Sequence, residues 1–594
     1  MFDSISTRSK GEIRAKIDLF MLWSSLSCSV FILFLIGYNT DPVFEAKFYY
    51  PIDALIYLYE LLLVIKIVIT LSLKSAQKLS FYSELALFIY LTLVIFASLY
   101  PAVVGFQGLA DPVWLYVGIY AVFIVEVSKT SLFFDKFYFN PTLLFVVSFL
   151  LLILLGTVLL LLPRSTTLEE FSFIDALFMS TSAVCVTGLS ITDISTNFST
   201  FGQNVILLMV QLGGLGIMTF TGFFGYFFTG GFSYKNQLMY TEFLNENKVS
   251  SVIRTLYTIV GITFLFEGVG AVFIFFSLET ANFKDIGEQI HFAVFHAISG
   301  FCNAGFSTLS NGLYEKEVRF NYNLQLIVAF LLIMGGLGFA LVHNVYGFFN
   351  RWYYNLYNRF LYRQPILFKP WVMSFNSKVV LYTTAILITF GTLICFVLEY
   401  NNTMAEHPTL WGKFVTAFFM GVTPRTAGFN TVNMTALGFP VIILTIVLMW
   451  IGASPGSTGG GIKTTTFAIA MLNIYSIARG RDRVEIFKRE LSDDTTKRAF
   501  AIIALSLLLL GVAIFLLSIT DGDKGLQALA FEAFSAFATV GLSLGITPGM
   551  SSGGKLVLIA TMFIGRVGTL TLLIALIKKP YVKNYHYPKE DMTF

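Results

Sequence analysis

Charge is scarce in this chain: of 594 residues, only 12% are Asp, Glu, Lys or Arg, while 56% are hydrophobic. A mean hydropathy of +0.76 excludes an ordinary soluble domain, whose surface has to be polar. Cysteine is also rare. Cys28, Cys185, Cys302 and Cys395 form no CxxC pair, and the five histidines share no ligand spacing with them. Neither a disulfide framework nor a zinc site is indicated. The chain has no GxxxxGK[ST] phosphate loop and no polar stretch long enough to fold as a nucleotide-binding domain. Its apolar stretches hold no grouped nucleophile, acid/base pair or metal cluster of the kind a membrane enzyme needs. The expectation is a non-enzyme with no cofactor and no nucleic-acid partner.

What is abundant is apolar sequence in runs of membrane-crossing length. About twelve such runs, each near the 20 residues that cross a bilayer, lie around 18–38, 52–72, 83–105, 112–128, 142–162, 203–229, 253–278, 323–349, 379–399, 440–478, 499–519 and 556–577. The first has no small-residue cleavage site and reads as a retained span. Basic residues gather before the first run (Arg8, Lys10, Arg14, Lys16), in the loop after 349 (Arg351, Arg359, Arg363, Lys369) and after the last run (Lys578, Lys579, Lys583). The positive-inside rule then puts both termini in the cytoplasm.

Four segments share one pattern, a short aromatic-rich helix running into a glycine turn: FIDALFMSTSAVCVTGLS, IHFAVFHAISGFCNAGFS, KFVTAFFMGVTPRTAGFN and ALAFEAFSAFATVGLS. Their glycines, Gly188, Gly305, Gly428 and Gly541, are spaced 305−188 = 117, 428−305 = 123 and 541−428 = 113. This is a fourfold internal repeat. The short helices, about fourteen residues or roughly 21 Å, fall well below the 30 Å hydrocarbon thickness, so each segment must enter and leave by one face. The chain therefore reads as an all-α membrane protein: four span, half-helix, span repeats around a central axis, at 139–232, 250–350, 375–480 and 498–580. They follow a four-span N-terminal module at 1–138.

Four re-entrant turns on one axis can surround a monovalent cation with backbone carbonyls, and glycine permits the dihedrals this requires. The candidate ring is Cys185, Val186, Thr187 and Gly188; Cys302, Asn303, Ala304 and Gly305; Thr426, Ala427 and Gly428; and Thr539, Val540 and Gly541. The second spans carry further aligned glycines, Gly213, Gly335, Gly452 and Gly565, expected at similar depth inward of the turns. At the third, GASPGSTGGGIKTTT opens between apolar flanks: Gly452, Ala453, Ser454, Pro455, Gly456, Ser457, Thr458, Gly459, Gly460 and Gly461, with Lys463 beyond. Such backbone cannot face lipid. It is expected to line the pore and act as a gate. Arg566 falls at the matching depth in the fourth repeat, either as a positive barrier that pairs with the loop's carbonyls or as a bridge between helices. Lys463 reads either as a second barrier or as the loop's solvated edge.

Other polar residues give weaker signals. Asp175 and Glu532 attract cations, cap a helix or bond the turn backbone; Arg425 braces the third turn or a nearby acid. Glu267 pairs within the bundle, Glu60 and Lys66 pair or snorkel, and His296 is structural.

At these residues the chain resembles the Trk/Ktr/HKT superfamily of potassium transporters. VTGL at 186–189, NAGFS at 303–307, TPRTAGFNT at 423–431 and ATVGLS at 538–543 are similar to its four filter motifs. The loop from 452 to 466 is similar to its intramembrane loop, and Arg566 to its fourth-repeat arginine. The resemblance spans about 139–580. It implies a K+-selective conduit in a bacterial inner membrane, a homodimer embedded in lipid, and control by a cytoplasmic RCK-type nucleotide-binding subunit. Plant relatives with serine at the first filter glycine carry sodium, so Gly188 implies potassium. Trk subunits have about two extra N-terminal spans and Ktr subunits none, whereas this chain has four. Two alternatives within transport remain: a Na+-selective or Na+-coupled transporter, and the pore subunit of an ATP-driven K+ pump.

Overall fold

The computed structural model describes residues 2–38, 42–73, 78–100, 112–130, 141–168, 170–216, 249–279, 283–362, 373–481 and 483–569. Most of the described chain is helical. Among the described residues, six helices are long and apolar enough to cross a membrane. The strands among the described residues form one small hairpin, Glu485–Ile486 with Arg489–Glu490. Phe487 and Lys488 turn it at φ 50° and 61°, the dihedrals a two-residue hairpin requires.

The first four helices, Phe2–Gly37, Pro42–Leu73, Lys78–Leu99 and Pro112–Thr130, pack around a core of their own that includes Met21, Ile56, Tyr59, Leu63, Leu91 and Ile119. Lys66 is fully buried there, bridging Asp18 on the first helix (2.5 Å) and Glu126 on the fourth (2.6 Å). Burying so many charges is favourable only when they are mutually paired. This bundle meets the rest of the molecule where the amide of Arg164 donates to the carbonyl of Gly37 (2.9 Å).

The rest is the fourfold repeat. Its first spans are Pro141–Leu160, Val249–Ser277, Phe375–Glu399 and Asp493–Asp521; its half-helices are Phe173–Val184, Ile286–Phe301, Leu410–Val422 and Leu526–Phe537. Three half-helices begin at side-chain caps, with Ser172, Asp285 and Thr409 accepting from the amides of Asp175, Glu288 and Gly412. The fourth begins at Gly525, φ 84°, with no side-chain cap. The repeats close into a pseudo-fourfold arrangement through shared cores. One joins the first and fourth repeats through Phe178, Met179, Leu529 and Met562; another joins the second and third through Phe292, Leu332, Phe419 and Phe429.

The second spans differ from the sequence reading. Residues 323–349 read as one span, but the structure divides them into Tyr322–Gly336 and Phe339–Tyr362, with Gly338 at φ 86° between. In the first and fourth repeats Thr200–Leu215 ends at Gly216, φ 78°, and Ser552–Val567 ends at Gly568, φ 90°, and the remainders of 203–229 and 556–577 lie outside the described residues. Each such glycine lies three residues past an aligned glycine, where a left-handed residue stops helix propagation. Hydropathy does not see it, because the flanking residues stay apolar. In the third repeat the excess length of 440–478 is resolved as the sequence requires, into Phe439–Trp450 and Thr464–Ala478 around the glycine-rich loop.

Candidate ion-conduction site

The four glycine turns meet head to tail. A Cβ on Gly188 would overlap the carbonyl of Ala304, one on Gly305 that of Ala427, one on Gly428 that of Val540, and one on Gly541 that of Thr187. Each glycine thus abuts the carbonyl just before the next repeat's glycine, and the series closes on itself. All four glycines have positive φ, from 70° to 92°. So do the residues two positions earlier: Val186 at 57°, Asn303 at 60°, Thr426 at 74° and Thr539 at 50°. Left-handed valine and threonine are rare and strained. The sequence carries no signal for them beyond their place relative to the glycine.

Hydroxyls behind the turns hold this backbone. Ser182, Ser299 and Thr423 donate to the carbonyls of Leu189, Phe306 and Phe429 at 2.6 to 2.8 Å, and Ser535 accepts from the amide of Gly541 (3.0 Å). The third brace, Thr423, stands five residues before its glycine, where the other three stand six before. A second pair recurs farther out. His296 bonds Ser307 (2.8 Å), Ser190 donates to the sulfur of Met179 (3.7 Å), and Glu532 accepts from Ser543, from Thr547 (2.9 Å) and from the amide of Leu544 (3.3 Å). Glu532 is fully buried. It bonds the segment after the fourth turn rather than reaching the outer mouth.

The aligned glycines lie inward of the turns. Gly213, Gly335 and Gly565 each leave room only for the carbonyl of the last half-helical residue, Val184, Phe301 and Phe537. Gly452 differs: its neighbour is the carbonyl of Gly460 in its own loop. That loop sits directly against two turns. Gly459 abuts the hydroxyl of Thr426, and the amide of Gly460 donates to the hydroxyl of Thr539 (2.9 Å). It is also tied to the second repeat, where the amide of Ser454 donates to Gly336 (3.1 Å) and that of Phe339 to Gly456 (2.9 Å).

Two half-buried cations hold the loop. Arg566 donates through one Nη to the carbonyl of Thr458 and through the other to that of Gly213. Lys463 donates to the carbonyl of Gly459 (2.6 Å). It is half-buried and bonds within the loop.

The weaker candidates fall elsewhere. Asp175 pairs with Lys555 of the fourth repeat (2.6 Å). Arg425 points away from its turn, toward Thr384 (3.4 Å) on the first span of its repeat. Glu267 accepts from Gln211 (3.1 Å) and from the thiol of Cys302 (3.7 Å). Gln211, which sequence reasoning passed over, thereby links the first and second repeats behind a turn. Lys66 pairs with Asp18 and Glu126, and Glu60 accepts from Thr92 (2.8 Å).

The comparisons with known proteins agree with this geometry. The potassium transporter TrkH of Vibrio parahaemolyticus has the same fold, with a TM-score of 0.58 at 18% identity over 84% of this chain and 98% of that one. The chain is 35% identical to the potassium/sodium uptake protein NtpJ of Enterococcus hirae over 76% of its length and 97% of the relative's. It is 36% identical to the Ktr system potassium uptake protein B of Bacillus subtilis, over 76% and 96%. The model of the TrkH family, described as cation transport protein, matches residues 121–587. With four abutting turns in a multi-pass membrane fold and relatives this similar along three quarters of its length, the chain belongs to the TrkH family of cation transport proteins, and it is a transporter rather than an enzyme.

Proposed function

We propose that this chain is a gated, potassium-selective pore that takes up K+ down its electrochemical gradient. The head-to-tail closure of the four glycine turns carries this reading. Carbonyls of residues 185–188, 302–305, 426–428 and 539–541 replace the hydration shell of a dehydrated K+, and the half-helices aim their partially negative C-terminal ends at the ion below. The loop at 452–466 is the gate, held against Thr426 and Thr539, and Arg566 is the fixed positive charge that pins it. The names of the relatives as potassium uptake proteins support K+ as cargo.

In this reading residues 1–138 form a separate module ahead of the four pore repeats. Two copies assemble in a bacterial inner membrane with their termini in the cytoplasm. An RCK-type nucleotide-binding subunit docks on the basic segment 350–378 and on the connector 479–498.

Rubidium uptake into liposomes holding the purified full chain, with an imposed potential and K+ or Na+ as competitor, tests the function. Block by K+ but not by Na+ supports it; equal block overturns the selectivity. One relative is called a potassium/sodium uptake protein, which favours a second reading in which Na+ is carried with or instead of K+. Stimulation of rubidium uptake by Na+ on the same side would select that reading.

A further inference from the structure

Two consecutive peptide groups at the tip of the gate loop are held by three different partners. The carbonyl of Thr458 is held by Arg566, that of Gly459 by Lys463, and the amide of Gly460 by the hydroxyl of Thr539. The first partner belongs to the second span of the fourth repeat, and the second lies at the end of the loop itself. The third is a residue of the filter itself.

The four filter residues at the inner left-handed position are not equivalent. Val186 packs at Gly213, and the side-chain carboxamide of Asn303 bonds the hydroxyl of Thr426 (3.3 Å). The two hydroxyl-bearing members, Thr426 and Thr539, are the ones that meet the loop, at Gly459 and Gly460. Only glycine fits at either loop position, since a Cβ at Gly459 would overlap the hydroxyl of Thr426 and one at Gly460 would lie 2.5 Å from that of Thr539.

We infer that Thr539 is a positioning residue that couples the filter to the gate. With the loop seated, its hydroxyl accepts the Gly460 amide; with the loop withdrawn, the hydroxyl turns its lone pairs to the conduction path and ligates a monovalent cation at the inner mouth of the filter. Ion occupancy there and loop closure then compete for one oxygen, and by linkage the permeant ion favours opening. The coupling rests on the pore reading above.

The test uses the full chain in liposomes, with Ser457→Cys in the loop as a reporter for a membrane-impermeant thiol reagent. Thr539→Val removes the acceptor with little change of shape, and the first repeat already holds a valine, Val186, at this position and dihedral. Thr539→Ser keeps the acceptor. The expected result is that K+ speeds modification of the reporter thiol relative to choline when residue 539 is Thr or Ser. In the Thr539→Val protein the reporter reacts fast without K+, and rubidium uptake rises about fivefold, the effect of one buried hydrogen bond. Modification that ignores K+ in all three proteins, or a Thr539→Val protein that behaves like Thr539→Ser, overturns the coupling. Wild-type uptake without K+ selectivity, but with the effect of Thr539→Val on reporter accessibility intact, would instead fault the pore reading and leave the latch standing.

Discussion

Gly541 closes against the carbonyl of Thr187, so that the last turn of the chain completes a ring begun by the first. Because one polypeptide supplies all four quadrants, each can be braced differently. The buried group behind the turn is a thioether at Met179, an imidazole at His296 and a carboxylate at Glu532. Substitutions in single quadrants should therefore differ in effect, as they could not in a ring of identical subunits.

Gly188→Ser should weaken discrimination against sodium. The residue sits at φ 87°, and its added Cβ meets the carbonyl of Ala304, so two adjacent quadrants must shift. The expected outcome is a reduced K+ to Na+ competition ratio in rubidium uptake; an unchanged ratio in correctly inserted protein would remove Gly188 from the filter.

Arg566→Gln should raise K+ flux. Its two bonds, to Thr458 and Gly213, are charge-assisted, and losing about 1.5–3 kcal/mol of closed-state stabilisation shifts the closed-to-open ratio by about one to two orders of magnitude. Deleting residues 454–461 should act in the same direction. Flux that falls in both inserted proteins would make the loop a structural element and not a barrier.

Glu532→Ala should loosen the fourth turn. It strands the amide of Leu544 and two hydroxyls at a cost of about 1–3 kcal/mol. A lower melting temperature of the purified protein is expected together with lost selectivity, and the pairing of these two effects is the check.

Lys66→Met should destabilise the N-terminal bundle by about 3–5 kcal/mol, the usual cost of leaving buried carboxylates without their cation. Glu126 and Glu84 are the buried carboxylates concerned, with the half-buried Asp18 beside them. Because this bundle has its own core, unfolding followed by calorimetry should show its transition moving while that of the pore repeats stays in place.

Asp175→Asn should change little. Its pair with Lys555 is partly exposed at both ends, and such pairs contribute about 0–1 kcal/mol. A small shift in melting temperature with unchanged ion selectivity is expected from parallel melting and uptake measurements.

Much of this was legible from residues alone. The fourfold period, the half-helices too short to cross, and the break that the length of 440–478 demands all follow from local composition and from distances along one helix. The split at Gly338 was not legible, because its neighbours Leu337 and Phe339 are as apolar as a continuous span would be. Arg425 misled for a related reason: adjacency to a turn in sequence says nothing of which way a side chain leaves the backbone, and it leaves toward Thr384.

What the sequence determined by itself is therefore what hydrophobic length, glycine placement and repetition can encode: a multi-pass helical protein with four repeated glycine turns and a glycine-rich loop between apolar helices. Only the tertiary structure decided the cyclic order of the turns, the left-handed backbone at Val186, Asn303, Thr426 and Thr539, and the seating of Gly460 on Thr539. Those features come from contacts between segments tens to hundreds of residues apart. Their strained dihedrals are paid for by packing around the ring, a balance that no local propensity records.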